Sequence, residues 1–104
     1  MAYQGWKNYE TWAVALWLDN DERSQDYLLG RVRELREEAP GREETYWTPA
    51  EYVKFRLADE LKQDHEDAAE ALFEGQAVSV LQDLLGAAIS EVDWREVAEH
   101  YMEI

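Results

Sequence analysis

Asn8-Tyr9-Glu10-Thr11-Trp12-Ala13-Val14-Ala15-Leu16-Trp17-Leu18 is the stretch on which the fold prediction depends. Its unbroken apolar run from Trp12 to Leu18 is typical of an element buried on all sides, either a helix or a buried strand. Asn8 is a favoured N-cap residue, and Glu10 suits a first helical turn. These features favour a helix, and we expect it to lie at the centre of the fold.

Two further helices follow from local signals. The second is predicted from about Asp21 to Glu38, where Pro40-Gly41 ends it. Thr48-Pro49-Ala50-Glu51 begins the third, because it combines an N-cap threonine, a proline at the first helical position and a glutamate at the third, which is a capping box. Whether this helix breaks near Asp64 or continues towards Gly75 is left open by the sequence.

The last part of the chain also predicts helices. One is expected over about Gln76–Ile89, and Asp93-Trp94-Arg95-Glu96 is a second predicted capping box that starts the final helix. Apolar residues at helical spacing give the expected inward positions along the chain. They are Leu28, Val32, Leu35 and Ala39, then Val53, Leu57 and Leu61, then Ala68, Ala69, Leu72 and Phe73, then Val78, Leu81, Leu85 and Ala88, and finally Val97, Ala98, Tyr101 and Met102.

The predicted fold is all-α: a compact bundle of five or six helices around the central apolar N-terminal helix, in a single acidic domain over residues 1–104. Glu44–Trp47 is the one segment with β-propensity, and it could form a short strand pair with Ala2–Trp6. With no cysteine, no signal-peptide pattern and no run of ~18 apolar residues, we expect a cytoplasmic protein that does not enter a membrane.

The most unusual property of this chain is its net charge. Ten Lys and Arg residues face 24 Asp and Glu residues, which gives a net charge of −14. We therefore expect no direct binding to nucleic acid and a partner with a basic protein surface. The excess is spread along the chain, but it sharpens between Gln63 and Trp94, where no Lys or Arg occurs.

If the third helix continues past Asp64, carboxylates follow one of its faces at a spacing of three and four residues. This predicted acidic face consists of Glu60, Asp64, Asp67, Glu70 and Glu74. Carboxylates about 5 Å apart on a rigid helix could occupy a groove that normally binds a nucleic-acid backbone. The alternative is an acidic surface that only promotes solubility.

Enzymatic motifs are missing from the sequence. It contains no glycine-rich phosphate loop, nucleophile elbow or zinc-binding histidine pair, so we predict no enzyme, no cofactor and no metal. Glu96 and His100, four residues apart, could share a helix face, and His65 is the other histidine. A surface Glu–His pair is a commoner arrangement than a two-ligand metal contact.

The segment Gly5-Trp6-Lys7-Asn8-Tyr9-Glu10-Thr11-Trp12, with the apolar helix and Asp19-Asn20-Asp21 after it, resembles a group of small proteins of unknown function encoded by bacteriophages, plasmids and other mobile elements. These proteins share a Gly-Trp-x-Asn-Tyr-Glu-Thr-Trp opening. The likeness covers about 17 residues. Relatives often have Asn after the second Trp, where this chain has Ala13.

The resemblance implies an accessory protein of a mobile element, and such small acidic proteins often act against host nucleases or other defence proteins. The working hypothesis is a nucleic-acid-mimicking inhibitor of a host defence or DNA-binding protein. The alternative is an adaptor that binds through an aromatic patch of Trp6, Asn8, Tyr9 and Glu10. We favour a structural role for this motif, because a helix with no charge beyond Glu10 is more simply part of a core.

Overall fold

The computed structural model describes residues 3–41, 45–77 and 79–104. Its helices are α1 (Tyr9–Asp19), α2 (Glu22–Glu38), α3 (Pro49–Leu72), α4 (Val80–Glu91) and α5 (Trp94–Met102). Within these ranges there is no β-sheet, only an isolated bridge between Tyr3 and Trp6. The prediction of an all-α bundle of five helices is confirmed.

Hydrogen bonds at the helix starts show that residues close together in the chain determine where helices begin. The capping box of α3 is confirmed, with the Thr48 hydroxyl and the Glu51 carboxylate each bonding the other residue's backbone N–H at 3.1 Å. The hydrogen bond from the Thr48 backbone lowers the pKa of Glu51. A capping box that was not predicted, Ser79 with Gln82, precedes α4, which begins at Val80, four residues after the predicted start at Gln76.

The predicted capping box of α5 forms only in part. The Asp93 carboxylate accepts a hydrogen bond from the Glu96 backbone N–H at 3.1 Å, as expected. The Glu96 carboxylate, however, accepts from the backbone N–H of Lys7 at 2.9 Å. The Asp93 backbone N–H donates to Thr11 instead. The reciprocal bond is absent because two groups from the N-terminal segment take its place.

α3 forms the centre of the bundle. It has 24 residues without a break at Asp64, and it packs against α2, α4 and α5. The buried core lies where the first half of α3 meets α2 and α5. It contains about half of the predicted inward residues, namely Leu28, Val32, Leu35, Val53, Leu57, Leu61, Val97, Ala98 and Tyr101.

The prediction that α1 lies at the centre is wrong. α1 packs by one side on α2, α4 and α5, and only Thr11 and Ala15 are fully buried in it. Leu16, expected in the core, is 39% exposed, and Trp17 is 76% exposed. An apolar run that continues around a helix predicts burial on all sides, but here only one side has neighbouring helices.

α4 and the second half of α3 extend beyond the buried core. α4 has no fully buried residue, and Leu72 and Leu81, both predicted to point inward, are 73% and 63% exposed. Ala68, also predicted inward, is exposed as well. These positions were predicted from spacing alone, which identifies an apolar face but not whether another element covers it. Val78 lies outside the described residues.

The predicted strand pair is not formed by the described part of its two segments. Tyr3 pairs with Trp6 of its own segment, and Tyr46 is fully exposed in the segment before α3. Ala2 and Glu44 lie outside the described residues. Of the helices that the described ranges contain, none is long and apolar enough to cross a membrane.

Candidate functional site

The predicted acidic face lies on a single continuous helix and the turn after it. Because α3 does not break at Asp64, Asp64, Asp67 and Glu70 follow one another along it, and Glu74 lies in the turn that follows Leu72. These four residues are exposed. The Asp67 carboxylate accepts a hydrogen bond of 2.8 Å from the Gln63 amide. We call these four residues the acidic stripe.

Glu60, the fifth predicted member, has a different environment. Its carboxylate receives two hydrogen bonds from the Arg31 guanidinium of α2, at 2.7 and 2.9 Å, and lies 3.8 Å from Arg56. The side chain of Arg31 is 17% exposed and that of Glu60 is 29% exposed. The hydrogen bond to Glu60 raises the pKa of Arg31 above its usual value. Glu60 therefore connects α2 to α3 and is separate from the acidic stripe.

Asn8 of the aromatic motif connects the start of α1 to the end of α4. Its side-chain oxygen accepts hydrogen bonds from the backbone N–H and the hydroxyl of Thr11, at 2.9 and 2.6 Å. Its amide nitrogen donates to the Glu91 carbonyl at 2.7 Å. The N-cap role was predicted from the residue type, but the bond to Glu91 could not be, because it joins residues 83 positions apart.

The other residues of the motif differ in how far their side chains are exposed. Trp6 is half-buried, and its ring lies edge-on to His100 with the centroids 5.2 Å apart. Tyr9 is 55% exposed, and its ring contacts those of Tyr3 and Trp12 at 5.3 and 5.6 Å. Glu10 is half-buried. Of the predicted aromatic patch, Tyr9 thus presents the most accessible aromatic surface.

His100 belongs to a polar cluster where α1 meets α5. Its Nε2 lies 3.0 Å from the Asp19 carboxylate, which also accepts a hydrogen bond of 2.7 Å from the Tyr101 hydroxyl. Burial, reinforced by Asp19, raises the pKa of Tyr101 above its usual value. Glu96, the possible second ligand of a metal, bonds to the N-terminal segment instead. Across the described ranges, no three His, Asp or Glu side chains are grouped so as to hold a metal ion.

An apolar groove of about 350 Å³ lies between α1 and the α3–α4 hairpin. It is lined chiefly by Tyr9, Ala13 and Val14 of α1, by Ala68, Ala69 and Leu72 of α3, and by Leu85, Ala88 and Ile89 of α4. Several of these side chains are alanines, which leave space between the helices. Its only titratable lining residues among those described are Tyr9, Glu10 and His65, so the described lining includes no Lys or Arg.

His65 and Trp94 lie together in the lining of this groove. The His65 Nδ1 is 2.7 Å from the Leu61 carbonyl, which can only accept, so the proton is on Nδ1. The His65 ring packs against the Trp94 indole with the centroids 4.9 Å apart. The Trp94 indole N–H is buried and has no hydrogen-bond partner among the described residues. Sequence reasoning missed this pair, since its members are far apart in the chain.

A second depression, of about 670 Å³, continues from the groove along α1. The two share Ala13, Val14 and His65, and the second also contains the exposed Trp17 and the carboxylate-bearing Asp21. An apolar surface therefore runs along α1 and onto the α3–α4 hairpin. The sequence indicated apolar faces on these three helices but not that they would enclose an open space.

A family model matches residues 1–104, the whole length of this chain, and it describes a family of unknown function, DUF7249. Neither a curated protein nor a solved structure matched the chain. Because this match spans the whole chain, the chain belongs to the DUF7249 family.

Proposed function

We propose that this protein is a non-enzymatic binding protein that engages a basic protein surface through the acidic stripe, as a nucleic-acid mimic. The observation that supports this function is the continuity of α3 past Asp64, with Asp64, Asp67, Glu70 and Glu74 all exposed. No Lys or Arg occurs between Gln63 and Trp94, the part of the chain that contains these four residues.

The spacing of the stripe suits this role. Carboxylates three or four residues apart on a helix lie about 5 Å apart along its axis. Duplex DNA carries one charge per about 1.7 Å of axis, so Asp64, Asp67 and Glu70 reproduce a line of charge at lower density on a rigid helix, and Glu74 follows them in the next turn. The net charge of −14 adds a long-range attraction for cationic surfaces, which accelerates encounter.

The biological setting that we propose is a mobile genetic element, as the N-terminal resemblance implies. The protein would act in the host cytoplasm as an inhibitor of a defence protein or another DNA-binding protein. An inhibitor of this kind needs no catalytic group, only a rigid acidic surface that occupies the basic groove of its target.

The alternative function is an adaptor that binds its partner through the aromatic N-terminal region. Tyr9 favours it, because this ring is 55% exposed and lies at the apolar groove. In that case the acidity would serve solubility alone, and binding would depend on Tyr9 and not on the acidic stripe.

Affinity capture from a bacterial lysate tests the acidic stripe. We expect the immobilised protein to retain DNA-binding proteins that are released by raised salt and displaced by duplex DNA. The variant Asp64→Lys/Asp67→Lys/Glu74→Lys should lose this capture. A control with the same net charge reverses three exposed carboxylates of α2, and it should keep the capture; its substitutions are Asp26→Lys, Glu37→Lys and Glu38→Lys.

Two results would count against the proposal. Equal capture by the two charge-reversal variants would show that only total charge matters. Retention that survives reversal of the acidic stripe but is lost in Tyr9→Ala would support the adaptor function instead.

A further inference from the structure

We infer that the apolar groove binds an amphipathic helix of the basic partner. The apolar face of that helix would enter the groove, and its Lys and Arg residues would meet the surrounding carboxylates. This inference rests on the proposed function for the charge of the partner, but the groove itself is a separate observation.

The first argument is the uncovered apolar face of α4. Leu81 and Leu84 lie four residues before Leu85 and Ala88, so each pair is adjacent on the helix surface. Leu81 and Leu84 are 63% and 61% exposed, whereas Leu85 and Ala88 are half-buried in the lining of the groove. The apolar face therefore continues from the groove onto open surface, as is typical of protein-binding sites.

The second argument is the shape of the space. The groove runs between helices, and the alanines at 13, 68, 69 and 88 give it room for side chains from outside. Leu72, 73% exposed, adds to the apolar surface on the α3 side. Helical ligands insert apolar residues at i, i+3, i+4 and i+7 into grooves of this kind. A small ligand confined to the groove would leave Leu81 and Leu84 uncovered.

The third argument is charge complementarity. Glu10 lines the groove, and Asp64 lies four residues before Ala68, which places it on the same side of α3. Asp21 lines the adjoining depression. The described lining of the two includes no Lys or Arg. A cationic helix is therefore favoured, and a second copy of this chain is disfavoured, because two molecules of charge −14 repel each other.

The test uses a synthetic helical peptide of about 18 residues, with leucines at i, i+3, i+4 and i+7 and lysines elsewhere, labelled for fluorescence anisotropy. Two comparison peptides separate the contribution of the apolar face from that of the positive charge. One has lysine at every position, and the other keeps the leucines but has glutamine in place of lysine. We expect the Leu/Lys peptide to bind at least about 10-fold more tightly than either.

The protein variant Leu72→Gln/Leu81→Gln/Leu84→Gln removes exposed apolar surface without changing charge or buried packing. It should weaken binding of the Leu/Lys peptide by about 10-fold or more while its circular dichroism stays unchanged. The control variant removes exposed aromatic side chains elsewhere, and it should bind like the original; its substitutions are Tyr27→Gln, Tyr46→Gln and Trp47→Gln. Amide chemical shifts should move at Ala68, Ala69 and Ala88.

The outcomes distinguish this inference from the proposed function. If the all-lysine peptide binds as tightly as the Leu/Lys peptide and the leucine variant has no effect, the groove is not the site, although a basic partner is still supported. If the Leu/Gln peptide binds as tightly as the Leu/Lys peptide, the groove binds apolar helices regardless of charge and the inference of a cationic helix is wrong, whereas the proposed function is judged by the capture experiment with the acidic stripe. Dimerisation of the protein that is abolished by the leucine variant would show that a second copy covers the groove.

Discussion

The Thr11 hydroxyl accepts a hydrogen bond of 2.8 Å from the Asp93 backbone N–H, which lies 82 residues later in the chain. The same hydroxyl donates to Asn8 at 2.6 Å, and Thr11 is fully buried. Through this one side chain, the start of α1 and the start of α5 are held together. The aromatic motif therefore contributes to tertiary structure through its polar residues as well as its rings.

Thr11→Val should lower the free energy of unfolding by about 1–3 kcal/mol, because it leaves the part-buried N–H of Asp93 without this acceptor while nearly preserving shape. Urea denaturation monitored by circular dichroism measures this change. Thr45→Val is the control, since its hydroxyl accepts only a 3.3 Å bond from Trp47 in an exposed segment. A loss no larger than that of the control would show that the Thr11–Asp93 bond does not stabilise the fold.

The Tyr101 phenol should make stability fall in strong alkali. Its pKa is raised by burial and by Asp19, so the folded-state value lies above the unfolded value of about 10. The stabilisation is therefore complete below pH ~10 and is lost as pH rises further, because the unfolded chain releases this proton first. Urea denaturation between pH 8 and ~11 should show a steeper decline than in Tyr101→Phe.

Tyr27→Phe provides the matched control for that experiment. Tyr27 is 58% exposed, so this variant should keep the steeper decline of the original protein. At neutral pH, Tyr101→Phe should also lower the free energy of unfolding by about 1 kcal/mol through loss of the bond to Asp19. Parallel curves for the original protein and Tyr101→Phe would contradict the assignment.

Glu60 and Asp64 should respond differently to neutralisation. Glu60→Gln weakens two hydrogen bonds to the largely buried Arg31 and should lower the free energy of unfolding by about 1–2 kcal/mol. Asp64→Asn should change it by less than about 0.5 kcal/mol, because Asp64 is exposed. Thermal and urea unfolding of both variants measure the difference. Equal effects would mean that the Arg31–Glu60 pair contributes no more than a surface charge.

Two substitutions in α1 test its peripheral position. Ala15, 1% exposed, has no room for a larger side chain, so Ala15→Leu should lower the free energy of unfolding by about 1–3 kcal/mol. Trp17→Gln should change it by less than about 0.5 kcal/mol, because Trp17 is 76% exposed. Chemical denaturation measures both changes in unfolding free energy. A larger loss for Trp17→Gln than for Ala15→Leu would indicate a central α1 with a buried Trp17.

Much of the fold could be predicted because its signals are local. Asn8, Thr48 and Asp93 cap helices as their residue types predicted, since a side chain that bonds the backbone three residues away needs no distant partner. The inward positions Leu57 and Val97 were likewise evident from helical spacing. The Ser79–Gln82 capping box of α4 is an equally local signal, although the predicted helix start was placed earlier, at Gln76.

The candidate site could be predicted only in part. The acidic stripe followed from spacing once α3 was known to continue past Asp64. The sequence did not reveal that Glu60 belongs with Arg31 of another helix, because both residues are also ordinary members of solvated helix faces. Nor did it reveal the groove, which depends on how far three helices lie apart.

The sequence by itself determined the helices, their caps and the acidity, because each depends on residues close together in the chain or on composition alone. Tertiary structure decided which apolar faces are covered. It placed α3 at the centre, left Trp17 and Leu81 exposed, and opened the groove beside His65. The physical reason is that the periodicity of a helix identifies its apolar side, whereas burial of that side requires a neighbour whose position no local pattern specifies.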